Sequence, residues 1–161
     1  MYDKTIGYAL CGSFCTYTKA MAALKRLTEI YRRVIPIFSQ ASWETDSRFG
    51  TAEEHIRRAE ELCGAPALHT IAEVEPIGPK KLLDALVIAP CTGNTLAKLA
   101  HGIADGPVTM AAKSHLRNGR PLLLAVSTND GLAAAAENIG RLLARKHIYF
   151  VPFGQDDPIR K

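Results

Sequence analysis

Short runs of apolar residues alternate along the chain with longer stretches in which apolar residues recur every three or four positions. The runs are typical of buried strands, and the spaced residues are typical of helices that pack by one face. Strands are predicted at residues 5–11, 34–38, 84–89, 122–127 and 148–153, and a shorter run at 68–72 is compatible with one more. Helices are predicted at residues 17–31, 52–63, 109–118 and 131–146, and a further one follows Gly93.

This alternation predicts an α/β fold. The strands should form a doubly wound parallel sheet within a three-layer α/β/α arrangement, because helical connections cover both faces of such a sheet. The connections should be right-handed crossovers. No repeat or linker interrupts the pattern, so residues 1–161 are expected to form a single domain.

Helical spacing also assigns inward faces that a structure can check. The helix after Gly93 should bury Leu96, Leu99, Ala100 and Ile103. The helix at 131–146 should bury Leu132, Ala136, Ile139 and Leu143. The sequence TAEE at Thr51 has capping-box spacing, which predicts a helix start there. The segment 39–50 is polar and predicts irregular structure.

Three polar turns follow predicted strands, at residues 12–16, 90–94 and 128–131. Parallel strands direct their carboxyl ends to one edge of the sheet, where ligands of such folds bind. The first amides of a helix lack an internal partner and carry partial positive charge, so these turns predict a phosphate or carboxylate site. Capping alone is the alternative explanation for their Ser, Thr and Asn residues. The candidate binding residues are Gly12, Ser13, Thr92, Gly93, Asn94, Thr95, Ser127 and Thr128.

The charge of the chain changes this picture little. The net charge is +4, and the basic residues are dispersed without the alternating aromatic residues that single-stranded nucleic acid binding requires. A modest positive charge suits an acidic small molecule. No apolar run is long enough to cross a bilayer, and no cleavable leader opens the chain, so we expect a cytoplasmic protein.

Cysteine and histidine spacing argues against a metal site. The four cysteines contain no CxxC pair, and the five histidines show no ligand spacing with a third ligand nearby. We therefore expect no metal. Cys91 stands apart because it lies in the second polar turn, where the helix start would stabilise a thiolate.

The segment APCTGNTLAKLAHGIAD at residues 89–105 resembles the PxTxNTxAKxAxGxxD signature of the homo-oligomeric flavin-containing cysteine decarboxylases. In that family this loop holds the phosphate of flavin mononucleotide (FMN). The segment CGSFCTYTK at residues 11–19 is similar to the family's first phosphate-binding loop. The resemblance implies that FMN is the candidate cofactor and that self-association is expected. It implies phosphate contacts at Ser13, Thr92, Asn94 and Thr95.

The chain departs from the decarboxylase pattern at two places. Pro76 occupies the position of the family's catalytic histidine, and proline cannot transfer a proton. The family's later asparagine-and-methionine substrate clamp is missing, and residues 127–130 stand in its region. Decarboxylation of a cysteine derivative is therefore the alternative function, and loss of the cofactor with retention of the fold is the alternative to FMN binding.

Four further segments resemble a narrower branch of the family, the B subunits of a two-subunit oxidoreductase of sporulating bacteria. They are WETDSRFGTAEE, GPKKLLDALVIAPCTGNT, VTMAAKSHLRNGRPLLLAVSTNDGL and ARKHIYFVPFGQDDP. The resemblance implies an NADP-dependent oxidation of a dihydropyridine dicarboxylate that requires an A subunit. The chain has no GxGxxG motif, so the A subunit should bind NADP. A non-catalytic scaffold for the A subunit is a third possibility, and chains of this branch extend past Lys161.

A dicarboxylate substrate directs attention to paired cations. Lys113 and Arg117 lie one helical turn apart and share a face, which suits two carboxylates, although a solvated helix face is the alternative. Arg48 is a similar candidate for substrate or partner contact. Asn129 and Asp130, in the third polar turn, are the candidate catalytic residues because they follow a strand at the predicted site.

Overall fold

The computed structural model describes residues 1–154, which form one parallel sheet with helices on both sides. The strands are β1 (Tyr2–Leu10), β2 (Tyr31–Phe38), β3 (Ala85–Cys91), β4 (Leu122–Val126) and β5 (Ile148–Phe150). The helices are α1 (Tyr17–Ile30), α2 (Gln40–Glu44), α3 (Ala52–Cys63), α4 (Ile71–Val74), α5 (Gly93–His101), α6 (Pro107–Leu116) and α7 (Ala136–Leu143). Two 3-10 turns lie at Phe14–Thr16 and Glu75–Ile77. The predicted domain extends to residue 161, and residues 155–161 lie outside the described part.

The strand order is β2-β1-β3-β4-β5, and every neighbouring pair is parallel. Strand β1 pairs on one side with β2, where Ile6 lies opposite Val34, and on the other side with β3, where Ile6 lies opposite Ala85. From β1 the chain therefore first forms β2 on one side of β1 and then crosses over to form β3 on the other side. Such a switch point separates the loops at the carboxyl ends of the two strands and opens a crevice between them.

Alternate residues of the strands enter two separate cores, which confirms the predicted three layers. Tyr8 and Leu10 of β1 face α1 and α3, whereas Ala9 faces the helices on the opposite side. Burial of a large aliphatic side chain contributes about 1.5–3 kcal/mol, so the two cores dominate the stability of the fold. The fully buried side chains include Tyr8, Leu10, Met21, Leu24 and Phe38 in one core and Ile37, Ile77, Leu83, Leu86, Ile88 and Leu96 in the other.

Helix α3 begins and ends as its sequence predicts. Thr51 accepts a hydrogen bond from the amide of Glu54 at 3.2 Å, and Glu54 accepts one from the amide of Thr51 at 2.9 Å. This reciprocal pair provides hydrogen-bond acceptors for two amides that have none within the helix. Gly64 ends the helix with φ of 59°, a conformation that glycine adopts without steric cost.

Two short segments differ from the sequence prediction. The region predicted as irregular contains α2, which begins because Ser39 accepts a hydrogen bond from the amide of Ser42 at 3.2 Å. The run at 68–72 makes one isolated bridge, from Leu68 to Ile37, and then turns into α4. It forms no strand because Thr70 and Glu73 make a second capping box that starts a helix instead.

Helix α7 is shorter than predicted, and its buried face differs. The chain forms turns between Asp130 and Ala135 before the helix begins. The first residues of the predicted helix are therefore not helical, and helical spacing does not tell which of them are buried. Leu132 and Leu143 are 73% and 61% exposed, and Ala136 is exposed too. Ile139 is buried as predicted, together with Ala135 and Leu142.

Ile103 is also misassigned by the helical spacing. Helix α5 ends at His101, and Gly102 adopts φ of 72°, which turns the chain away from the core. Ile103 is therefore 47% exposed, whereas Leu96 and Leu99 are buried as predicted.

Candidate functional site

The three polar turns meet at the carboxyl edge of the sheet. The Ser13 hydroxyl lies 2.7 Å from the Ser127 hydroxyl, which joins the first turn to the third. The Thr95 hydroxyl donates to the Cys11 sulfur at 3.3 Å, which joins the second turn to the first. Sequence-distant hydroxyls thus gather at one place because β1 lies beside β3, and β3 lies beside β4.

Helix α5 starts within this cluster. Thr92 is its N-cap and accepts a hydrogen bond from the amide of Thr95 at 3.2 Å, while the two hydroxyls lie 3.0 Å apart. The next amides, of Gly93 and Asn94, belong to the first turn, where a helix offers no internal acceptor. The start of α5 therefore presents donors and partial positive charge to an anion.

Gly93 packs against the third turn. A Cβ atom at this position would lie 3.2 Å from the Thr128 hydroxyl and 3.5 Å from a carboxylate oxygen of Asp130. Thr128 itself donates a hydrogen bond to Asp130. The absence of a side chain at Gly93 thus allows the third turn to approach the start of α5 closely.

A cleft of about 550 Å³ opens at the switch point between β1 and β3. This volume is within the range of cofactor and ligand sites, about 300–1,000 Å³. Of the predicted binding residues, Gly12, Thr92, Asn94 and Thr95 line the cleft. Ser13, Gly93, Ser127 and Thr128 form the contacts that hold the three turns together beside it.

Lys98 brings a cation to the cleft, and sequence reasoning did not single it out. It lies one helical turn beyond Asn94, and its ammonium donates to both oxygens of Asp105 at 2.9 and 3.0 Å. The hydrogen bond from Lys98 holds the pKa of Asp105 below its usual value. Because this cation is already paired, hydroxyls and main-chain amides remain the chief binding groups for an anion in the cleft.

The opposite wall comes from the turn after β2. Ser39, Gln40 and Glu44 line the cleft, and none was predicted to be part of the site. Strand β2 neighbours β1, so its carboxyl end reaches the same edge. The capping pair Ser39 and Ser42 was the available sequence signal, because a second helix start after a strand predicts another group of free amides.

The expected thiolate at Cys91 is contradicted by its burial. Cys91 has no exposed surface, and burial raises the pKa of its thiol well above the usual value. Burial likewise raises the pKa of Cys11 to about 11. Both side chains belong to the buried core, although the Cys11 sulfur contacts Thr95 at the start of α5, so neither thiol is an accessible nucleophile.

The predicted substrate cations lie outside the cleft. Arg48 is exposed, and its guanidinium carbon lies 4.8 Å from the centre of the Phe49 ring. Lys113 and Arg117 share an exposed face of α6, as their spacing predicts, but this face borders a separate groove. The candidate catalytic residues Asn129 and Asp130 lie in the third turn, beside the start of α5 rather than on the cleft wall.

Two kinds of feature are absent from the described residues. Within residues 1–154, no three His, Cys, Asp or Glu side chains are grouped so that they could hold a metal ion. In the same part of the chain, no helix has the length and apolar character needed to span a membrane.

Fold and cleft define the class of this protein. The family model described as Flavoprotein matches residues 1–158, and the chain belongs to this family. The chain is 44% identical over 158 residues to the B subunit of dipicolinate synthase of Bacillus subtilis (strain 168). That match covers 98% of the chain and 79% of the relative.

Solved structures give the same result. The crystal structure of the dipicolinate synthase B subunit from Bacillus halodurans matches with a TM-score of 0.86 and 43% identity, over 97% of this chain and 80% of that one. Burkholderia xenovorans DmrB in complex with FMN matches with a TM-score of 0.74 and 22% identity, over 94% and 89% of the two chains. At this lower identity the likeness shows the fold alone.

Proposed function

We propose that this chain acts as a B subunit in dipicolinate synthesis. With an A subunit it would take part in the NADP-dependent oxidation of dihydrodipicolinate to dipicolinate during sporulation, in the cytoplasm. The observation that carries the proposal is the 44% identity to the B subunit of dipicolinate synthase across nearly the whole chain. We further infer self-association, since DmrB is described as a cubic protein cage and another neighbour as dodecameric.

The cleft fits FMN as a cofactor of the proposed activity. Its volume of about 550 Å³ accommodates a flavin nucleotide, and Thr92, Asn94 and Thr95 stand at the start of α5, where a phosphate would be held. Gly12 of the first turn lines the same cleft. Bound FMN would supply a carrier for two electrons. The Flavoprotein family match and the FMN complex of DmrB support this assignment.

The proposed reaction removes a hydride and a proton from the dihydropyridine ring. The hydride passes to NADP⁺, which the A subunit would bind because this chain has no GxGxxG motif. The proton needs an acceptor, and Asp130 is our candidate, with Asn129 as its neighbour for orienting a ring substituent. Aromatisation of the ring favours product, so positioning is the main requirement on the protein.

The substrate contacts at Arg48, Lys113 and Arg117 remain predictions. None of the three lines the cleft. Titration of dipicolinate into variants with Ala at these positions tests them one by one, with binding measured by calorimetry. A substrate contact would lower the affinity for dipicolinate and leave the affinity for FMN unchanged.

The central experiment mixes the chain with the A subunit of the same organism and follows NADPH formation. The proposal expects turnover only when both proteins are present. Full turnover by the A subunit alone would contradict it, and release of carbon dioxide from a cysteinyl peptide would replace it with the decarboxylase alternative. That alternative lacks its base, since proline at position 76, where the resemblance places the family's catalytic histidine, cannot transfer a proton.

Two measurements separate the cofactor from the candidate catalytic residues. Purified protein should be yellow or take up FMN in a fluorescence titration, and failure of both would reject the flavin. Asn129→Ala and Asp130→Asn should each lower turnover without lowering the midpoint of thermal unfolding. Asn138→Ala on α7 is the matched control and should leave turnover unchanged.

A further inference from the structure

The cleft continues into a smaller recess beside helix α2. We call this recess the annex and define it by Gln40, Trp43, Glu44, His69, Ile71 and Pro107. Its volume is about 270 Å³. Gln40, Glu44 and Pro107 also line the cleft, so the two cavities adjoin. A ligand held in the annex would therefore lie beside a ligand held in the cleft.

Two stacked rings line the annex. The rings of Trp43 and His69 lie at an interplanar angle of 5°, with their centres 3.6 Å apart. The fully buried Phe38 packs edge-on against Trp43, with ring centres 6.1 Å apart. His69 Nδ1 in turn lies 3.4 Å from a carboxylate oxygen of Glu73. Because both rings are held by their neighbours, the pair is a preformed surface for a flat ring.

The lining of the annex is negatively charged. Within residues 1–154, it includes the carboxylates of Glu44 and Asp105 and no lysine or arginine. The ammonium of Lys98 pairs with Asp105 from the cleft side. Glu44 forms no ion pair in the same part of the chain and accepts hydrogen bonds from Nε2 of Gln40 at 3.3 and 3.4 Å. The annex therefore favours a neutral or cationic ligand and disfavours a dicarboxylate.

These features distinguish the two reactants of the proposed reaction. Dihydrodipicolinate carries two carboxylates, whereas the nicotinamide of NADP⁺ is a flat ring with a positive charge. Aromatic side chains attract such a cation, and a carboxylate beside them adds to the attraction. The size agrees, because the annex accommodates one substituted ring but not a whole dinucleotide. The rest of NADP⁺ would stay on the A subunit, since this chain has no GxGxxG motif.

We propose that the annex binds the nicotinamide ring of NADP⁺, with Trp43 and His69 against the ring and Glu44 matching its charge. The inference rests on the proposed function, in which the A subunit binds the rest of the dinucleotide. In that reaction a C–H bond of the dihydropyridine ring breaks, and the hydrogen moves with its electron pair to the nicotinamide carbon opposite the ring nitrogen. The substrate also loses a proton to the acceptor described above. The nicotinamide ring thereby becomes neutral, so the annex binds NADPH less tightly and favours its release.

The test uses the intact chain without the A subunit. Trp43 is its single tryptophan, so fluorescence reports a ligand in the annex. The probes are nicotinamide methylated on its ring nitrogen, which is a cation, neutral nicotinamide, and the dipicolinate dianion. We expect saturable quenching by the cation, with an affinity about tenfold or more above that of nicotinamide, and no competition from dipicolinate. Calorimetry measures the same affinities, because collisional quenching gives no heat of binding.

Two variants separate charge from stacking. Glu44→Gln should lower the affinity for the cation about fivefold and leave that for nicotinamide unchanged. Trp43→Leu, followed by calorimetry, should lower both affinities. Glu29→Gln removes an exposed carboxylate of α1 and is the matched control, which should change neither. Trp43 packs on Phe38, so the midpoint of thermal unfolding shows whether Trp43→Leu folds, and Glu44→Gln tests the annex without that variant.

Three results would overturn the inference. The first is no saturable binding of the cation, or equal affinities for the cation and nicotinamide. The second is quenching of Trp43 by dipicolinate that strengthens in Glu44→Gln, because the annex would then hold the dicarboxylate. The third is a loss in Glu44→Gln no larger than that in Glu29→Gln.

Kinetics with the A subunit give an independent readout. Glu44→Gln should raise the KM for NADP⁺ and leave the KM for dihydrodipicolinate unchanged, and the reverse pattern would contradict the inference. Failure of the proposed function appears separately, as absent turnover in the wild-type mixture, because the binding measurements need neither the A subunit nor turnover.

Discussion

The hydroxyl of Ser13 lies 2.7 Å from the hydroxyl of Ser127, although 114 positions separate the two residues. This hydrogen bond joins the turn after β1 to the turn after β4 across the end of β3. The Ser127 amide also donates to the carbonyl of Cys91 at 2.9 Å, which anchors the third turn on β3 itself. The geometry of the first polar turn is therefore set partly by the third.

We predict that Ser13→Ala lowers FMN affinity about tenfold or more, because hydrogen bonds to a charged group contribute about 1.5–3 kcal/mol. Ser127→Ala should cause a smaller loss, because it acts by positioning Ser13. In the Ser13→Ala background the second substitution should add little. Fluorescence titration measures all four proteins, with Thr28→Ala on α1 as a control hydroxyl remote from the site. Fully additive losses would argue that the two hydroxyls act independently.

Two glycines should respond oppositely to replacement by alanine. A Cβ at Gly78 would lie 2.7 Å from the Ser114 carbonyl oxygen, so Gly78→Ala must displace backbone and should destabilise the fold by about 1–3 kcal/mol. Gly140 lies within α7 with no atom near its Cβ position, so Gly140→Ala should stabilise by about 0.5–1 kcal/mol. Urea unfolding measures both. Equal effects of the same sign would contradict the close approach of Gly78 to Ser114.

The four thiols should differ in reactivity. Cys15 is exposed, whereas burial raises the pKa of Cys63 to about 12 and that of Cys11 to about 11. In the native protein at mildly alkaline pH, a disulfide reagent should modify Cys15 quickly and the other three thiols only after denaturant is added. Cys15→Ser should remove the fast phase, and a fast phase that persists in this variant would show another accessible cysteine.

The buried His115 predicts a loss of stability in mild acid. Burial lowers its pKa below the usual 6.5, and Nε2 lies 3.0 Å from the Pro121 carbonyl oxygen. The folded state therefore binds the proton less readily than the unfolded state, so stability is full above pH 6.5 and falls as the pH decreases toward the lowered value.

His115→Gln keeps a donor for Pro121 but does not titrate. Its free energy of unfolding should fall less than that of the wild type between about pH 6.5 and 5, where only histidine side chains ordinarily titrate. The residual slope should come from His55, whose pKa burial also lowers. If the free energy of unfolding depends on pH identically in the two proteins, His115 does not cause the loss of stability in mild acid.

Much of the fold could be predicted because its signals are local. The box at Thr51 and Glu54 involves two neighbouring turns of chain, and it formed as predicted. The predictions were wrong where helical spacing was continued past the residue that ends the helix. Ile103 continued the spacing of α5 in sequence, but Gly102 had already ended the helix.

The candidate site was predicted only in part. Thr92 and Thr95 could be recognised because a strand, a polar turn and a helix start follow each other in sequence. Ser39 and Lys98 were missed because their relevance depends on which strands are neighbours and which helix face borders the cleft. Lys113 and Arg117 lie on one exposed face at the end of α6, but their spacing could not reveal which side of that helix faces the cleft.

The sequence by itself determined the alternation of strands and helices, the capped helix starts and the chemistry of the three turns. These features follow from interactions between residues a few positions apart, so the types and spacing of those residues indicate them directly. Only the tertiary structure decided that β1 lies between β2 and β3, and hence that Ser39, Thr92 and Gly12 border one cleft. Strand order is a property of the whole packed sheet, because burial of both faces selects it among arrangements with the same local pattern.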